Sequence, residues 1–264
     1  MKPVLALVLL LGLAGCANTG VAPLPTTGRV DYQLGGAWTP PSDVTVVARD
    51  STDPPLEGAY SICYLNGFQT QPQQAGFWLD EHPTLVLRDD DGAPLFDENW
   101  PDEMALDTST AENRTQLASI IGEWITRCRD DGYQAVEFDN LDSYSRFDGL
   151  SLDDNVALAT VLVGHAHSLG LAAGQKNTAE LGTRGRDEIG FDFVISEECF
   201  VFDECSGYRE VYGAQFIDIE YQRYEPGELD GLCSNPAVPF LTIVRDPQLS
   251  PGDDPDTVFW SCDI

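Results

Sequence analysis

The clearest structural signal in the sequence is the run of residues 135–196, AVEFDNLDSYSRFDGLSLDDNVALATVLVGHAHSLGLAAGQKNTAELGTRGRDEIGFDFVIS. Three short apolar runs within it predict strands at Ala135–Asp139, Leu171–Gln175 and Phe193–Ser196. A helix is predicted between the first two strands, from Ser151 to about Leu169, and Gly170 marks its end. Continuous apolar strands that alternate with helical stretches are typical of a buried parallel sheet.

A second helix is predicted immediately upstream of this run. It begins at Ser109, with Glu112 three residues later in a capping-box pattern, and it stops near Gly132. One side of it carries an apolar stripe at helical spacing, formed by Leu117, Ile120, Ile121, Trp124, Ile125 and Cys128.

The remainder of the chain supplies six further candidate strands, which are Val30–Leu34, Val44–Ala48, Tyr60–Leu65, Leu85–Arg88, Gln215–Ile219 and Phe240–Val244. A closed barrel needs eight strands, so we expect Leu85–Arg88 to lie outside it. The predicted fold is therefore α/β, a single (β/α)8 TIM-type barrel. An open doubly wound sheet is the alternative, but it normally shows a glycine-rich phosphate loop after an early strand, and the sequence has none.

The N-terminus has the features of an export signal. Lys2 precedes an apolar run, Val4–Leu13, that is shorter than the roughly 20 residues a membrane helix needs. The following residues, Leu13-Ala14-Gly15-Cys16, resemble a bacterial lipobox, in which the cysteine is lipidated. An ordinary secretory signal with an incidental cysteine is the alternative.

These features define three predicted regions. Residues 1–15 form a lipoprotein signal peptide, residues 16–28 a flexible tether, and residues 29–264 the barrel domain. We therefore expect an exported protein at the cell surface or in the periplasm, attached to the membrane only through Cys16.

Charge excludes one class of partner. The chain has 44 acidic and 14 basic residues, and its net charge is −30. Nucleic acid binding requires a basic surface, so nucleic acid is not an expected partner. A cationic ligand would be attracted instead. General solvation of an exported protein is the alternative, because the acids are spread along the chain.

Six cysteines remain besides Cys16, and an even number in an exported chain predicts disulfides. Six cysteines allow 15 pairings. Proximity along the chain favours Cys199–Cys205 and Cys233–Cys262, which leaves Cys63–Cys128. The sequence has no Cys-x-x-Cys and no His-Glu-x-x-His, and the acids of residues 88–92 lack the ligand spacing of an EF-hand loop. We therefore expect no metal site and no cofactor.

Acidic and amide side chains follow the predicted strands. In a barrel all these strand ends meet at one mouth, where barrel active sites lie. Like charges held together raise each other's pKa, so a fold that gathers them generally uses them; the alternative is that individual acids serve as helix caps or salt-bridge partners. The strand-end residues are Glu137, Asp139, Asn140, Asp142, Lys176, Asn177, Glu197, Glu198, Glu220 and Tyr221.

Strand alternation selects among these acids, because side chains at i and i+2 share a face. Glu137 and Asp139 are expected to point together into the mouth. Glu197 and Glu198 point to opposite sides if the strand continues through them, so one of the two faces the site.

One segment is more specific. Residues 132–144, GYQAVEFDNLDSY, resemble the Gly-x-x-x-Val-Glu-x-Asp-Asn-x-Asp-x-Tyr motif of glycoside hydrolase family 114. That family contains endo-acting α-1,4-polygalactosaminidases with a barrel related to that of family-27-type enzymes. Agreement extends in order from about Val30 to Tyr221 through ICYL at 62–65, QKN at 175–177, EEC at 197–199 and EY at 220–221.

The resemblance implies Asp139 and Glu197 as the catalytic pair. Our working hypothesis for the roles within this pair, which the resemblance does not supply, is Glu197 as acid/base and Asp139 as nucleophile. The resemblance also implies sugar contacts from Tyr64, Lys176, Asn177 and Glu220. The expected substrate-binding set is completed by Glu137, Asn140, Asp142, Glu198 and Tyr221.

Three departures from the family pattern concern the substrate rather than the carboxylates. The family's opening Trp-x-Trp-Gln-Leu is Val30-Asp31-Tyr32-Gln33-Leu34 here, its Asp-Gly before Val-Glu is Gln134-Ala135, and its Asn before Glu is Ser196. Tryptophans at 38, 78 and 100 lie in loop-like stretches, where sugar stacking and core packing both remain open. Trp124 belongs to the apolar helix stripe and is expected in the core.

The predicted activity is hydrolysis, outside the cell, of α-1,4-linked galactosamine-containing polysaccharide by two carboxylates, which can act as general acid and as nucleophile or base. The polysaccharide is the expected partner, and an acidic mouth fits a cationic amino sugar polymer. A non-catalytic polysaccharide-binding lipoprotein on the same scaffold is the alternative. A cell-envelope scaffold without a ligand would leave the clustered acids unexplained.

Overall fold

A computed structural model describes residues 20–223 and 227–262. The signal peptide and the lipidation site Cys16 lie outside the described residues. Eight parallel strands pair in sequence order, each with the next along the chain. They are β1 (Arg29–Gln33), β2 (Val44–Asp50), β3 (Tyr60–Asn66), β4 (Ala135–Asp139), β5 (Ala172–Lys176), β6 (Phe193–Glu197), β7 (Phe216–Tyr221) and β8 (Leu241–Arg245).

Side chains bring the first and last parallel strands together. The guanidinium of Arg245 on β8 donates to Asp31 Oδ1 on β1 at 2.6 Å, and it also donates to the carbonyl oxygen of Tyr32. Arg245 and Asp31 are both fully buried. A ninth strand, β9 (Phe259–Ser261), runs antiparallel to β8. The predicted TIM-type barrel is confirmed, and β9 is an addition that the sequence analysis missed.

The predicted surplus strand lies outside the barrel, as expected. Val86 and Arg88 form only isolated bridges, with Leu106 and Pro94, in the long connection between β3 and β4. The other eight predicted strands correspond to β1–β8 within two residues at each end.

Three α-helices of eight or more residues are found in the described part of the chain: α1 (Ala111–Asp131), α2 (Leu152–Ser168) and α3 (Cys205–Tyr212). The hydroxyl of Thr110, not of Ser109, caps α1 by accepting from the Asn113 amide at 3.1 Å. Ser151 caps α2 as predicted. Shorter 3₁₀ and π segments cover the remaining turns, at Pro72–Gln74, Phe77–Glu81, Pro83–Leu85, Leu141–Ser145, Ala179–Leu181, Gly185–Ile189 and Leu232–Ser234.

Alternation along the strands produces two apolar layers. In β4, Ala135 belongs to the barrel interior, whereas Val136 and Phe138 pack in the layer between the barrel and the helices. Inward residues of the other strands fill the barrel, including Val30, Val46, Ile62, Ala172, Ile195, Ile217 and Ile243. The barrel is thus a packed core whose inward row ends in polar side chains at the mouth.

Part of the segment that was predicted as a tether packs against the barrel. Leu24 is 2% exposed and packs with the barrel interior. Its carbonyl oxygen accepts from Gln215 Nε2 at 3.1 Å, and the carbonyl of Ala22 accepts from the Tyr60 hydroxyl at 2.8 Å. Composition hid this role, because a single buried leucine among Pro and Thr residues does not change the character of the segment.

Three disulfides connect the six cysteines, in the pairing that proximity favoured. Cys63–Cys128 joins β3 to α1, and Cys233–Cys262 joins the β7–β8 connection to the residue after β9. Cys199–Cys205 closes the turn between β6 and α3. Among the helices of the described residues, none combines the length and the apolar character that crossing a membrane requires.

Candidate active site

Three neighbouring strands end in the polar residues that form the centre of the mouth. Asp139, Lys176 and Glu197 are the last residues of β4, β5 and β6. Each occupies an inward position, two residues beyond a side chain or glycine that also faces the barrel interior. The sequence prediction that these ends meet is therefore confirmed by direct contacts.

Lys176 connects the two candidate catalytic carboxylates. Its ammonium nitrogen lies 3.3 Å from Asp139 Oδ2 and 3.1 Å from Glu197 Oε2. The side chain is only 2% exposed. Burial alone would lower the pKa of this amine, but the charges of Asp139, Glu197 and Glu137 outweigh it and raise the pKa. Lys176 therefore remains a cation inside the site.

Asp139 is held in its ionised form. Burial raises the pKa of its carboxyl, but Lys176, the Tyr64 hydroxyl and the Asn140 amide together bring the pKa below its ordinary value. The hydroxyl of Tyr64 donates to Oδ2 at 2.8 Å, and the amide of Asn140 donates to Oδ1 at 2.7 Å. Both carboxylate oxygens are thus occupied by donors, which is the arrangement that favours the charged form.

Glu197 is oriented by the hydroxyl of Tyr221 and the side-chain amide of Asn177. The hydroxyl of Tyr221 donates a short hydrogen bond to Oε1, and Asn177 Nδ2 donates to Oε2 at 3.2 Å. Asn177 Oδ1 also accepts from the Glu197 backbone amide at 2.8 Å. Asn177 is in the left-handed region, with φ 49°, which asparagine tolerates better than most residues. One amide therefore fixes both the backbone and the side chain of Glu197.

A third carboxyl lies deeper in the barrel. Glu137 is fully buried, and its Oε1 accepts from the Tyr32 hydroxyl at 2.6 Å. Among the described residues Oε2 has no hydrogen-bond partner. Burial raises the pKa of Glu137 to about 8, against the opposing effects of Lys176 and Tyr32. This carboxyl is thus mainly protonated at neutral pH, so it adds little negative charge beneath Lys176.

Residues after β4 hold Asn140 in place. Asn140 has φ 62°, and its side chain donates to Asn66 Oδ1 at 3.0 Å and accepts from Arg146 at 2.7 Å. Arg146 also binds Asp142 at 2.6 Å and Asp97 at 2.7 Å. The side chains of Asn140 and Asp142 therefore both bind other residues of the protein. These contacts fix the segment that directly follows Asp139.

Two polar residues of the mouth escaped the sequence analysis. Arg146 follows the predicted motif, but its position in the sequence does not predict that it binds Asp97 and Asn140. Glu103 belongs to the β3–α1 connection, and its Oε2 accepts from Asn66 Nδ2 at 2.9 Å. Burial raises the pKa of Glu103 to about 7, with a contribution from the charge of Asp139. Glu103 precedes Asp139 by 36 residues in the sequence, so the sequence analysis did not predict that the two carboxyls lie close together.

The structure directs Glu198 and Glu220 away from the centre of the mouth. Glu198, in the left-handed region at φ 59°, binds Arg223 at 2.9 and 2.6 Å. Of the two adjacent glutamates only Glu197 faces the site, as alternation predicted. Glu220 lies on the opposite face of β7 from Tyr221, is fully buried, and accepts from the Phe200 amide at 2.7 Å. The expected sugar contact of Glu220 is incompatible with this placement.

The tryptophans divide between core and surface. Trp78 is fully buried and meets Trp124 edge-on at 5.8 Å, so both belong to the outer core layer. Trp38 is half-buried against Phe259. Trp100 is 60% exposed. Of the three loop tryptophans, Trp100 alone retains a surface on which a ring could stack.

The arrangement combines one firmly ionised carboxylate with a second carboxyl across a shared cation. Two carboxyl groups in different environments are the requirement for splitting a glycosidic bond. Tyrosine hydroxyls and asparagine amides fix their orientation, which lowers the entropic cost of reaching a reactive geometry.

Comparison with known proteins identifies the family and the fold. Residues 14–264 match the model of Glycoside-hydrolase family GH114. The structure is similar to that of Aspergillus fumigatus Ega3 in complex with galactosamine, with 19% sequence identity, a TM-score of 0.72, and coverage of 89% of this chain and 98% of that one. No curated protein sequence matches the chain.

A second solved structure shares the fold. It is the glycoside hydrolase domain of PelA from Pseudomonas aeruginosa, with 15% sequence identity, a TM-score of 0.58, and coverage of 88% of this chain and 98% of that domain. Because the family match extends over nearly the whole sequence, this chain belongs to glycoside hydrolase family GH114 and is a glycoside hydrolase.

Proposed function

We propose that the protein cleaves α-1,4-linked galactosamine-containing polysaccharide, with Asp139 as the nucleophile and Glu197 as the general acid/base. The observation that carries this proposal is the contact of both carboxylates with the single buried ammonium of Lys176. It brings the two groups to one reacting centre, and their surroundings differ in other respects, since the side chain of Asp139 is 19% exposed and that of Glu197 is 28% exposed. Unequal surroundings are what separate the two roles.

The spacing of the pair supports retention of anomeric configuration. Asp139 Oδ2 and Glu197 Oε2 both lie within 3.3 Å of the same nitrogen, so their separation is at most twice that distance. Retaining enzymes place their carboxyl groups about 5–5.5 Å apart, and inverting enzymes about 6.5–9.5 Å. The upper bound excludes nearly all of the inverting range.

In the first step, Asp139 forms an ester bond with the anomeric carbon. The glycosidic bond breaks at the same time, and Glu197 gives its proton to the departing oxygen. In the second step, Glu197 takes a proton from water, the water oxygen bonds to the anomeric carbon, and the ester to Asp139 breaks. The low pKa of Asp139 suits it to the nucleophilic role, because the group must be ionised before substrate arrives.

Three observations support an amino sugar as substrate. The whole chain carries a net charge of −30, which attracts a cationic polymer. Glu103 lies at the mouth beside Asn66, close to the nucleophile. Ega3, whose fold is similar, was crystallised with galactosamine. The polymer would meet the enzyme outside the cell, since the residues around Cys16 resemble a lipoprotein export signal.

The direct test is the release of oligosaccharides from deacetylated α-1,4-galactosamine polymer by the full chain in detergent, followed by mass spectrometry. Asp139→Asn and Glu197→Gln should each reduce release by at least about a thousandfold, whereas the exposed control Glu210→Gln on α3 should match the wild type. The fully acetylated polymer serves as a second substrate.

Three outcomes separate the hypotheses. Release by the wild type alone supports the proposed reaction and its pair. Binding of polymer without release by the wild type contradicts it and favours a polysaccharide-binding role. Equal cleavage of both polymers retains the hydrolase and contradicts the preference for a cationic sugar.

A further inference from the structure

The outward face of β7 carries two buried acids behind the catalytic turn. Asp218 and Glu220 are both fully buried. They lie two residues apart on one strand, so their side chains share the face opposite to Tyr221. The turn they face, residues 198–200, immediately follows Glu197.

These two carboxyls hold the backbone of that turn. Asp218 Oδ1 accepts from the Ser196 hydroxyl at 2.7 Å and from the Cys199 amide at 3.4 Å. Glu220 Oε1 accepts from the Phe200 amide at 2.7 Å. The residues on either side of Glu197 are therefore attached to side chains of β7 that lie outside the barrel.

Each carboxyl also has a second oxygen without a donor. Asp218 Oδ2 and Glu220 Oε2 are buried and have no hydrogen-bond partner within residues 20–223 and 227–262. The following arginine, Arg223, is occupied by Glu198. Two adjacent buried carboxylates without a cation would repel each other strongly, and a proton on one of them supplies the missing donor.

We propose that Asp218 and Glu220 share one proton, and that the singly protonated pair is a positioning element for the turn that carries Glu197. The catalytic consequence rests on the proposed function of Glu197, but the shared proton does not. Neither residue contacts substrate. Glu220 acts through the Phe200 amide, and Asp218 acts through Ser196 and Cys199.

The electrostatic surroundings agree with this assignment. Burial, followed by the charge of Asp218, raises the pKa of Glu220 to about 9. Burial raises the pKa of Asp218 to about 6. The other titratable or charged groups near the pair are Glu197 from β6, Glu198 and its partner Arg223 from the adjoining turns, and Tyr208 from α3.

The direction of the pH effect follows from the raised pKa of Glu220. The protonated form is favoured in the folded state, so its contribution to stability is complete below the unfolded pKa and is lost as the pH rises through about 9. Loss of the proton leaves two like charges behind the turn. We therefore expect alkaline pH to disorder the turn and misplace Glu197.

The test compares Glu220→Gln and Glu220→Ala with the wild type as full chains in detergent. A glutamine keeps the acceptor for the Phe200 amide and supplies a permanent donor to Asp218, whereas alanine removes both. Infrared difference spectra should show a protonated carboxyl that titrates between pH 7 and about 10 in the wild type. Glu137 titrates in the same range, so Glu220→Gln should reduce the amplitude of this band by the contribution of one carboxyl, whereas the exposed control Glu210→Gln should keep the wild-type amplitude. Over the same range the melting temperature should fall less in Glu220→Gln than in the wild type.

Activity on deacetylated galactosamine polymer supplies the positioning readout. Glu220→Ala should lower kcat about tenfold or more with little change in KM, because misplacement of a catalytic group affects the chemical step. Glu220→Gln should restore most of that loss and should keep its kcat at a pH where the wild type has declined.

Two results would overturn the inference. The first is an identical infrared titration in the wild type and Glu220→Gln. The second is a rise of KM alone in Glu220→Gln, which would indicate a sugar contact. The spectra and melting curves need no substrate, so absence of hydrolysis by the wild type would contradict the proposed function and would not by itself remove the shared proton.

Discussion

At the level of single residues, the site depends on the balance of charge around Lys176. The chain has only one other lysine, Lys2, although it has 44 acidic residues. Lys176 is almost completely buried between Asp139 and Glu197, with protonated Glu137 beneath them. One cation therefore neutralises negative charge at the centre of the proposed active site.

Replacement of this cation should change both stability and the pH profile. In Lys176→Met the pKa of Asp139 loses its main lowering influence, so the acid limb of kcat/KM should move to higher pH. Removing one partner of a buried ion pair costs about 3–5 kcal/mol in the free energy of unfolding, and the cost should be greatest at neutral pH.

Urea unfolding and rate profiles at pH 5 and pH 7 measure these effects, with exposed Arg127→Met as the control for a lost positive charge. The sign follows from the wild-type Asp139, whose lowered pKa stabilises the fold above the unfolded pKa and ceases to do so as the pH falls. An unchanged acid limb in Lys176→Met would contradict the assigned role of the lysine.

The sequence predicted the residues at the centre of the site better than the residues that hold them in position. Asp139, Lys176 and Glu197 follow apolar strands, so topology alone brings them together. Alternation placed Glu137 with Asp139. Alternation also places Glu220 and Tyr221 on opposite faces of β7. The sequence analysis nevertheless expected both to contact sugar, because it followed the family resemblance for Glu220. Arg146 could not be assigned, because its partner Asp97 is remote in sequence.

At the level of secondary structure elements, two segments carry exposed aromatic side chains, one in the connection between β3 and α1 and one in the turn after β6. Trp100 is 60% exposed, and its amide donates to Asp97, which binds Arg146 after β4. Phe202 is 63% exposed, and its amide donates to the Glu198 carbonyl after β6 at 3.0 Å.

We expect both rings to bind sugar units beyond the cleaved bond. Trp100→Ala and Phe202→Ala should each weaken the binding of long oligosaccharides by roughly two- to tenfold, since aromatic contacts contribute about 0.5–1.5 kcal/mol. Turnover of a short substrate should stay nearly constant. Phe240→Ala is the matched control, because this 41% exposed residue directly precedes β8 at the other end of the barrel.

Calorimetric titration of galactosamine oligomers of increasing length measures this effect. An equal loss of affinity for short and long oligomers would place the two rings at the cleavage site itself. No change for either variant would contradict the proposed extended binding surface.

The elements themselves show where pattern reading is reliable. Continuous apolar strands were located within two residues, because burial on both faces leaves little choice of composition. The start of α1 was displaced by one residue, since Ser109 and Thr110 are both good caps. The strand β9 escaped detection because three residues are too few to show a period.

At the level of the whole molecule, the barrel is defined by parallel strand order and by the absence of a phosphate loop, both of which are visible in sequence. Its closure is not visible, because the buried pair Arg245–Asp31 joins residues 214 positions apart. Leu24 was assigned to a tether for a similar reason, because its hydrogen-bond partner Gln215 is 191 positions away in the sequence.

The net charge predicts a dependence on salt. A chain of −30 that binds a cationic polymer should lose kcat/KM as ionic strength rises, because screening weakens the attraction between them. The loss should appear mainly in KM. Assays from 20 to 500 mM NaCl would check this, with a neutral acetylated polymer as control. Salt-independent cleavage of the deacetylated polymer would leave general solvation as the role of the acids.

The anomeric configuration of the first product tests the assigned roles of Asp139 and Glu197 most directly. Proton NMR during the first minutes of hydrolysis of the α-linked galactosamine polymer distinguishes new α from new β reducing ends before they equilibrate. The short spacing across Lys176 predicts that the α form appears first. Initial release of the β form would show inversion and would contradict Asp139 as the nucleophile.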